Sequence, residues 1–282
     1  MIEFLKRLDR RWIFLVILLS AVLPMIFPLK LPTVPGTDTN SMYRELQALP
    51  PGSIVLMSFD YGPSTKVELE PAATAALTHL WRGNRDIKVV GMALWPDGGP
   101  LGRTAFKKVL ADLEKEGVKK TYGVDYVNLG YKAGGVVALR TIGNTGGFPG
   151  AFPKDLEGTP VSEIPLMKQA RKYRDLAMIV TLSGGDPGIK HHIQVGASQY
   201  GLKVSGGVTA VSAPEMSPYL NSGQLVGLMG GLRGAAEYEV LLNINGEALK
   251  GMNVQSSVHM MMVILIILSN VVYFADRRNA RR

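Results

Sequence analysis

Short, almost unbroken apolar runs punctuate the middle of this 282-residue chain, at residues 54–59, 87–94, 177–182, 204–211 and 225–229. Runs of that length with no polar alternation fit strands covered on both faces, as in a parallel sheet. Between them the period changes. Residues 71–81 predict a helix with Pro71 early in it and Glu68 and Glu70 near its positive end. Phe106, Val109, Leu110 and Leu113 recur at helical spacing and predict a second helix that stops at Gly117. Asp186 and Pro187 read as the N-cap and first residue of a third, closed by Gly201, and Ser212 with Glu215 has the S-x-x-E spacing of a capping box. Leu232, Ala235, Ala236 and Val240 predict a further helix. This alternation predicts an α/β fold, a doubly wound, mostly parallel Rossmann-like sheet with helices on both faces. Residues 122–152 fit it less well: 126–131 and 136–139 look like strands, and the Gly-rich remainder reads as hairpin or loop.

Two longer apolar segments lie outside this region. Residues 12–27 read WIFLVILLSAVLPMIF and residues 258–275 read VHMMMVILIILSNVVYFA, both without a charge. A spanning helix needs about 20 apolar residues, and Leu29 and Leu31 extend the first segment toward that length. Pro24 is expected to kink or end its outer half. A secretory signal peptide has the same basic-then-apolar order, but no small-x-small cleavage site precedes Pro28, which favours an uncleaved anchor. In the second segment Tyr273 and Phe274 fall where an aromatic belt meets lipid headgroups. His259, Ser269 and Asn270 are polar groups there that either face a partner helix or, for Ser269 and Asn270, bond their own. The expected division is a tail at 1–11, a transmembrane helix at 12–28, a linker at 29–40, the α/β domain at 41–250, a second transmembrane helix at 251–275 and a basic tail at 276–282.

Charge changes the picture once it is located. A net charge of +8 suggests nucleic acid, but eight of the 31 basic residues are Lys6, Arg7, Arg10, Arg11, Arg277, Arg278, Arg281 and Arg282. Only Glu3, Asp9 and Asp276 offset them there, which leaves 23 basic against 20 acidic residues in between. That balance is ordinary for a solvated surface and argues against a nucleic-acid partner. The facing flanks carry only Lys30, Arg44 and Lys250, so the positive-inside bias puts both termini in the cytoplasm and the domain outside, periplasmic or extracellular. The absence of cysteine excludes disulfides, thiolate metal sites and thiol catalysis. Met260, Met261 and Met262 read as packing in lipid rather than a thioether site. No metal or cofactor is expected.

Open parallel sheets bind ligands where the strands' carboxyl ends release their loops. Candidate ligand-binding residues are therefore Asp60 after the first run, Trp95 and Asp97 after the second, and Ser183, Gly184, Gly185 and Asp186 in the SGGDPG turn after the third. Glycines there let backbone approach a ligand closely, and a following helix offers free N–H groups to an anion. The spacing matches neither a P-loop nor GxGxxG. His191 and His192 point to different faces of one helix, so one of them could pair with Asp186 as acid or base, and a surface histidine pair is the plainer reading. Asp60 and Asp97 could meet as paired carboxylates across neighbouring strand tips. No GxSxG, HExxH, kinase or Walker motif occurs, which leans against an enzyme. Three functions remain: a structural subunit of a membrane assembly, self-associating or joined to other membrane proteins; a small-molecule receptor or sensor; and a hydrolase or transferase of the cell envelope.

Overall fold

The computed structural model describes residues 9–27, 32–144 and 146–279. From the amino end come α1 (Arg10–Ile26), α2 (Thr37–Gln47), β1 (Ile54–Asp60), α3 (Lys66–Trp81), β2 (Lys88–Ala93), α4 (Gly98–Glu114), β3 (Tyr126–Tyr131), α5 (Val136–Gly143), α6 (Gly147–Ala151), α7 (Pro165–Gln169), β4 (Met178–Ser183), α8 (Ile189–His192), β5 (Lys203–Val208), α9 (Ser217–Asn221), β6 (Leu228–Gly230), α10 (Gly231–Leu241) and α11 (Glu247–Asn279). The chain divides into two compact units, Thr33–Ala248 and a second formed by Met1–Pro32 with Leu249–Arg282.

In the larger unit six strands pair in parallel in the order β3-β2-β1-β4-β5-β6. All seven residues of β1 and all six of β4 are buried, which is why these runs carry no polar alternation. The chain lays β2 and β3 outward from β1, then crosses back to start again at β4 on the other side. Helices α2, α3, α4 and α10 pack together on one face, while α5 and α8 pack against each other with α8 on β4 and β5. The loops after β1 and β4 thus leave side by side in opposite directions, the place where doubly wound sheets open a crevice.

Several local expectations are corrected. Residues 136–139 are not a strand but the start of α5, whose Ala138, Leu139 and Ile142 are buried while Val137 stays exposed. Asp186 and Pro187 do not open the third helix, which begins at Ile189; it runs on through a π turn at Ile193–Ala197 and Ser198–Tyr200 and ends at Gly201 in the left-handed region. Ser212 and Glu215 form no capping box: the Ser212 hydroxyl accepts from Thr209 Oγ1, and a 3-10 turn at Ala213–Met216 precedes α9. The helix expected from residue 71 begins at Lys66 and takes in Glu68, Glu70 and a buried Pro71.

The ends of the larger unit are both held by α10. Glu237 Oε2 accepts from the Gly36 N–H and Thr39 Oγ1 at the start of α2, and Glu239 Oε1 accepts from the Ala248 N–H at the start of α11. Thr39 also reaches Leu228 O, at the first residue of β6, and Lys203, at the first residue of β5, pairs with Glu45. The outgoing segments are therefore rooted at the amino edge of the sheet.

In the other unit, α11 is the one helix among the described residues long and apolar enough to cross a membrane, with mean hydropathy 2.2 over its apolar stretch and none of that stretch buried. The expected start at 251 moves back to Glu247, in one continuous helix. The 17-residue α1 exposes Trp12, Phe14, Leu18 and Met25 and continues past Pro24 to Ile26. Leu29, Leu31 and Lys6, Arg7, Arg281 and Arg282 lie outside the described residues. Asn270 Nδ2 donates to Ile266 O of its own helix, while Ser269 and His259 are exposed.

Candidate functional site

At the carboxyl end of β1, Asp60 is completely buried. Its Oδ1 accepts from Ser58 Oγ at 2.8 Å and from the Leu94 N–H at 2.7 Å; its Oδ2 accepts from Thr181 Oγ1 at 3.1 Å and lies 3.1 Å from His192 Nε2. One carboxylate thus ties β1 to the end of β2, to β4 and to α8. These four partners satisfy the polar atoms of a side chain that has no access to solvent. His192 is equally buried, so it is no surface residue, and its Nδ1 has no hydrogen-bond partner among the described residues. The next residue, Tyr61, is also buried, and burial together with the charge of Glu70 pushes its phenol well above the ordinary range.

Over this floor the SGGDPG turn is stitched to itself. Ser183 Oγ donates to Gly185 O and accepts from the Ile189 N–H at 3.0 Å, so the hydroxyl caps α8 and is not a free nucleophile. Gly184 presses on the loop after β1, where a Cβ would sit 2.6 Å from Thr65 Oγ1. Trp95 crosses from the β2 loop and donates its indole N–H to Pro187 O at 2.7 Å. These contacts close the crevice directly between β1 and β4. Open space lies to either side of it.

Three adjoining hollows share Asp186. The largest, about 790 Å³, is lined by Trp95, Pro96, Tyr131, Gly135, Pro187 and His191 among others. A second of about 370 Å³ includes Lys190, His191, Gln194 and Tyr219, and a third of about 210 Å³ includes Ser183, Gly185, Lys190 and Glu215. The Asp186 side chain is 70% exposed, with Oδ1 3.9 Å from His191 Nδ1. Lys190 meets Glu215 at 2.7 Å, and that hydrogen bond raises the ammonium pKa.

The predicted residues therefore separate into two levels. Ser183, Gly185, Asp186 and Trp95 line the hollows, and Gly184 shapes the turn. Asp60 lies beneath with both oxygens engaged, and exposed Asp97 lines none of the three. Tyr131, Gly134, Gly135, Lys190 and Glu215 were missed. Among the described residues no group of three or more His, Asp or Glu side chains is placed to hold a metal. The chain matches no family model, no curated protein and no solved structure.

Proposed function

We propose that this chain is a membrane-anchored α/β module that holds a small ligand over the carboxyl edge of its sheet. One arrangement supports the reading: three hollows meeting at an exposed carboxylate, with Trp95 and Tyr131 walling the largest. Its size falls within the range of roughly 300–1,000 Å³ typical of small-molecule sites. Aromatic faces beside a carboxylate and an imidazole suit a ligand with a flat ring and a hydrogen-bonding rim, Trp95 and Tyr131 stacking on it while Asp186 accepts from it. Asp60 is then a positioning residue for the turn that presents Asp186. Native mass spectrometry of the full chain in mild detergent tests this. A bound small molecule is expected on the wild type, with affinity down about tenfold or more in Trp95→Ala, as loss of stacking area implies. Equal retention in Trp95→Ala and Asp186→Asn would remove the cleft from consideration.

In the same reading α1 and α11 both cross the bilayer, both termini are cytoplasmic and the domain lies outside. Protease added to intact spheroplasts is then expected to digest residues near 40–250. Complete protection would reverse the topology.

A second reading, the structural subunit of a membrane assembly, draws on His259 and Ser269, which stand exposed among apolar side chains of α11. Lipid offers such groups no partner and a neighbouring helix does. A large homo-oligomer or stable hetero-complex with an empty cleft would favour it.

A further inference from the structure

At the amino edge of the sheet, away from the cleft, residues 168–175 carry Lys168, Arg171, Lys172 and Arg174 against a single carboxylate, Asp175. One oxygen of that carboxylate holds the turn: Asp175 Oδ2 accepts from the Arg171 and Lys172 N–H groups, each at 2.8 Å. Tyr173, wholly buried, pins the turn from below. The opposing wall is the start of α6, stitched to the turn by the Phe148 N–H donating to Arg171 O at 2.8 Å. Gly147 makes that approach possible, because its φ is +60° and a Cβ would sit 2.3 Å from Arg171 O. Between the walls is a hollow of about 390 Å³ lined by Gly146, Gly147, Pro149, Arg171, Lys172, Arg174 and the carboxylate-bearing Asp175.

Several basic side chains elsewhere in the domain are paired, as in Lys66 with Glu70, Arg82 with Glu116, Arg103 with Glu157 and Lys108 with Glu247, while others such as Lys107 and Lys132 have no such partner among the described residues. Among the described residues Arg171, Lys172 and Arg174 take part in no such pair. Three cations and one carboxylate line the hollow, which leaves it with a net positive charge. We propose that this hollow is a binding site for a phosphate group. Two guanidinium forks and an ammonium match the oxygens of a phosphate better than the single flat edge of a carboxylate. A soluble phosphate and a lipid phosphodiester offer the same oxygens to these cations, so both belong to the ligand class. The proposal is independent of what the cleft holds.

The test uses the full chain in uncharged detergent, titrated with inorganic pyrophosphate by calorimetry at constant ionic strength. In parallel, the chain in phosphatidylcholine nanodiscs with or without phosphatidylglycerol is probed for modification of Lys172 by an amine reagent. The variant R171Q/R174Q changes two exposed side chains, and K115Q, just past the end of α4, controls for net charge. Saturable pyrophosphate binding, weakened about tenfold or more in R171Q/R174Q and unchanged in K115Q, would support a soluble phosphate. Protection of Lys172 in discs relative to the detergent-solubilised chain, greater with phosphatidylglycerol and lost in R171Q/R174Q, would support the lipid source. Neither signal, or signals equally strong in R171Q/R174Q, would overturn the site.

Discussion

Replacing Asp60 with alanine is expected to cost the domain about 3–5 kcal/mol, the loss typical of removing one partner from a buried charged network. The variant leaves Ser58 Oγ, the Leu94 N–H, Thr181 Oγ1 and His192 Nε2 without their common acceptor at a position with no solvent exposure. For a domain of this size each kcal/mol moves the midpoint by roughly 2–4 °C, so thermal unfolding of the purified chain should shift down by on the order of 10 °C. Asp60→Asn should be milder. Its amide oxygen can still accept from Ser58 and Leu94, and its NH2 can donate to Thr181 Oγ1 and to His192 if that ring moves its proton to Nδ1. The expected order of stability is therefore wild type, Asn, Ala. An alanine variant as stable as the wild type would show that the carboxylate does not knit the strands together.

That network marks the limit of what the sequence could reveal. Strands with both faces covered announce themselves as continuous apolar runs, so β1, β2, β4 and β5 were readable without their partners. Long-range contacts were not: Asp60 meets Leu94 across 34 residues and Thr181 across 121, and no local pattern records either. His192 was readable in principle. Ile189, His192, Ile193 and Gly196 recur at helical spacing and are all buried, so the period alone puts this histidine on the inward face. At residues 136–139 two β-branched valines resemble a strand, whereas Ala138, Leu139 and Ile142 fall at helical spacing, and the helix prevails. Two glycines with φ of +110° and +48° turn the chain just before it, a conformation open to glycine at little cost. The SGGDPG turn was found because strand-end loops with glycines are where a backbone can approach a ligand. Its internal wiring through Ser183 was invisible, since a serine hydroxyl capping a helix six residues on requires the turn's full geometry.

Acid is expected to weaken the domain through His79, at the opposite edge of the sheet from Asp60. The ring is 3% exposed and stacks on Tyr43 with centroids 4.5 Å apart. Nε2 lies 2.9 Å from Gln47 Oε1, which can only accept, so this nitrogen carries the proton; Nδ1, 2.6 Å from the Tyr238 hydroxyl, then accepts. Both bonds hold with the ring neutral. Burial lowers its pKa from 6.5 to about 4, and the charge of Arg85 adds to the effect. The unfolded chain therefore binds this proton more readily than the folded one. The stability conferred by a neutral His79 is fully present above pH 6.5, falls by about 3 kcal/mol as pH drops toward 4, and changes little below that. His79→Gln removes the titration, so the stability advantage of the wild type over this variant should shrink across that window in denaturant melts. An advantage independent of pH between 7 and 4 would mean the ring titrates alike in both states. Because His79 joins α3 to α2 and α10, the two helices that root the outgoing segments, amide exchange should first rise in α2 as the pH falls.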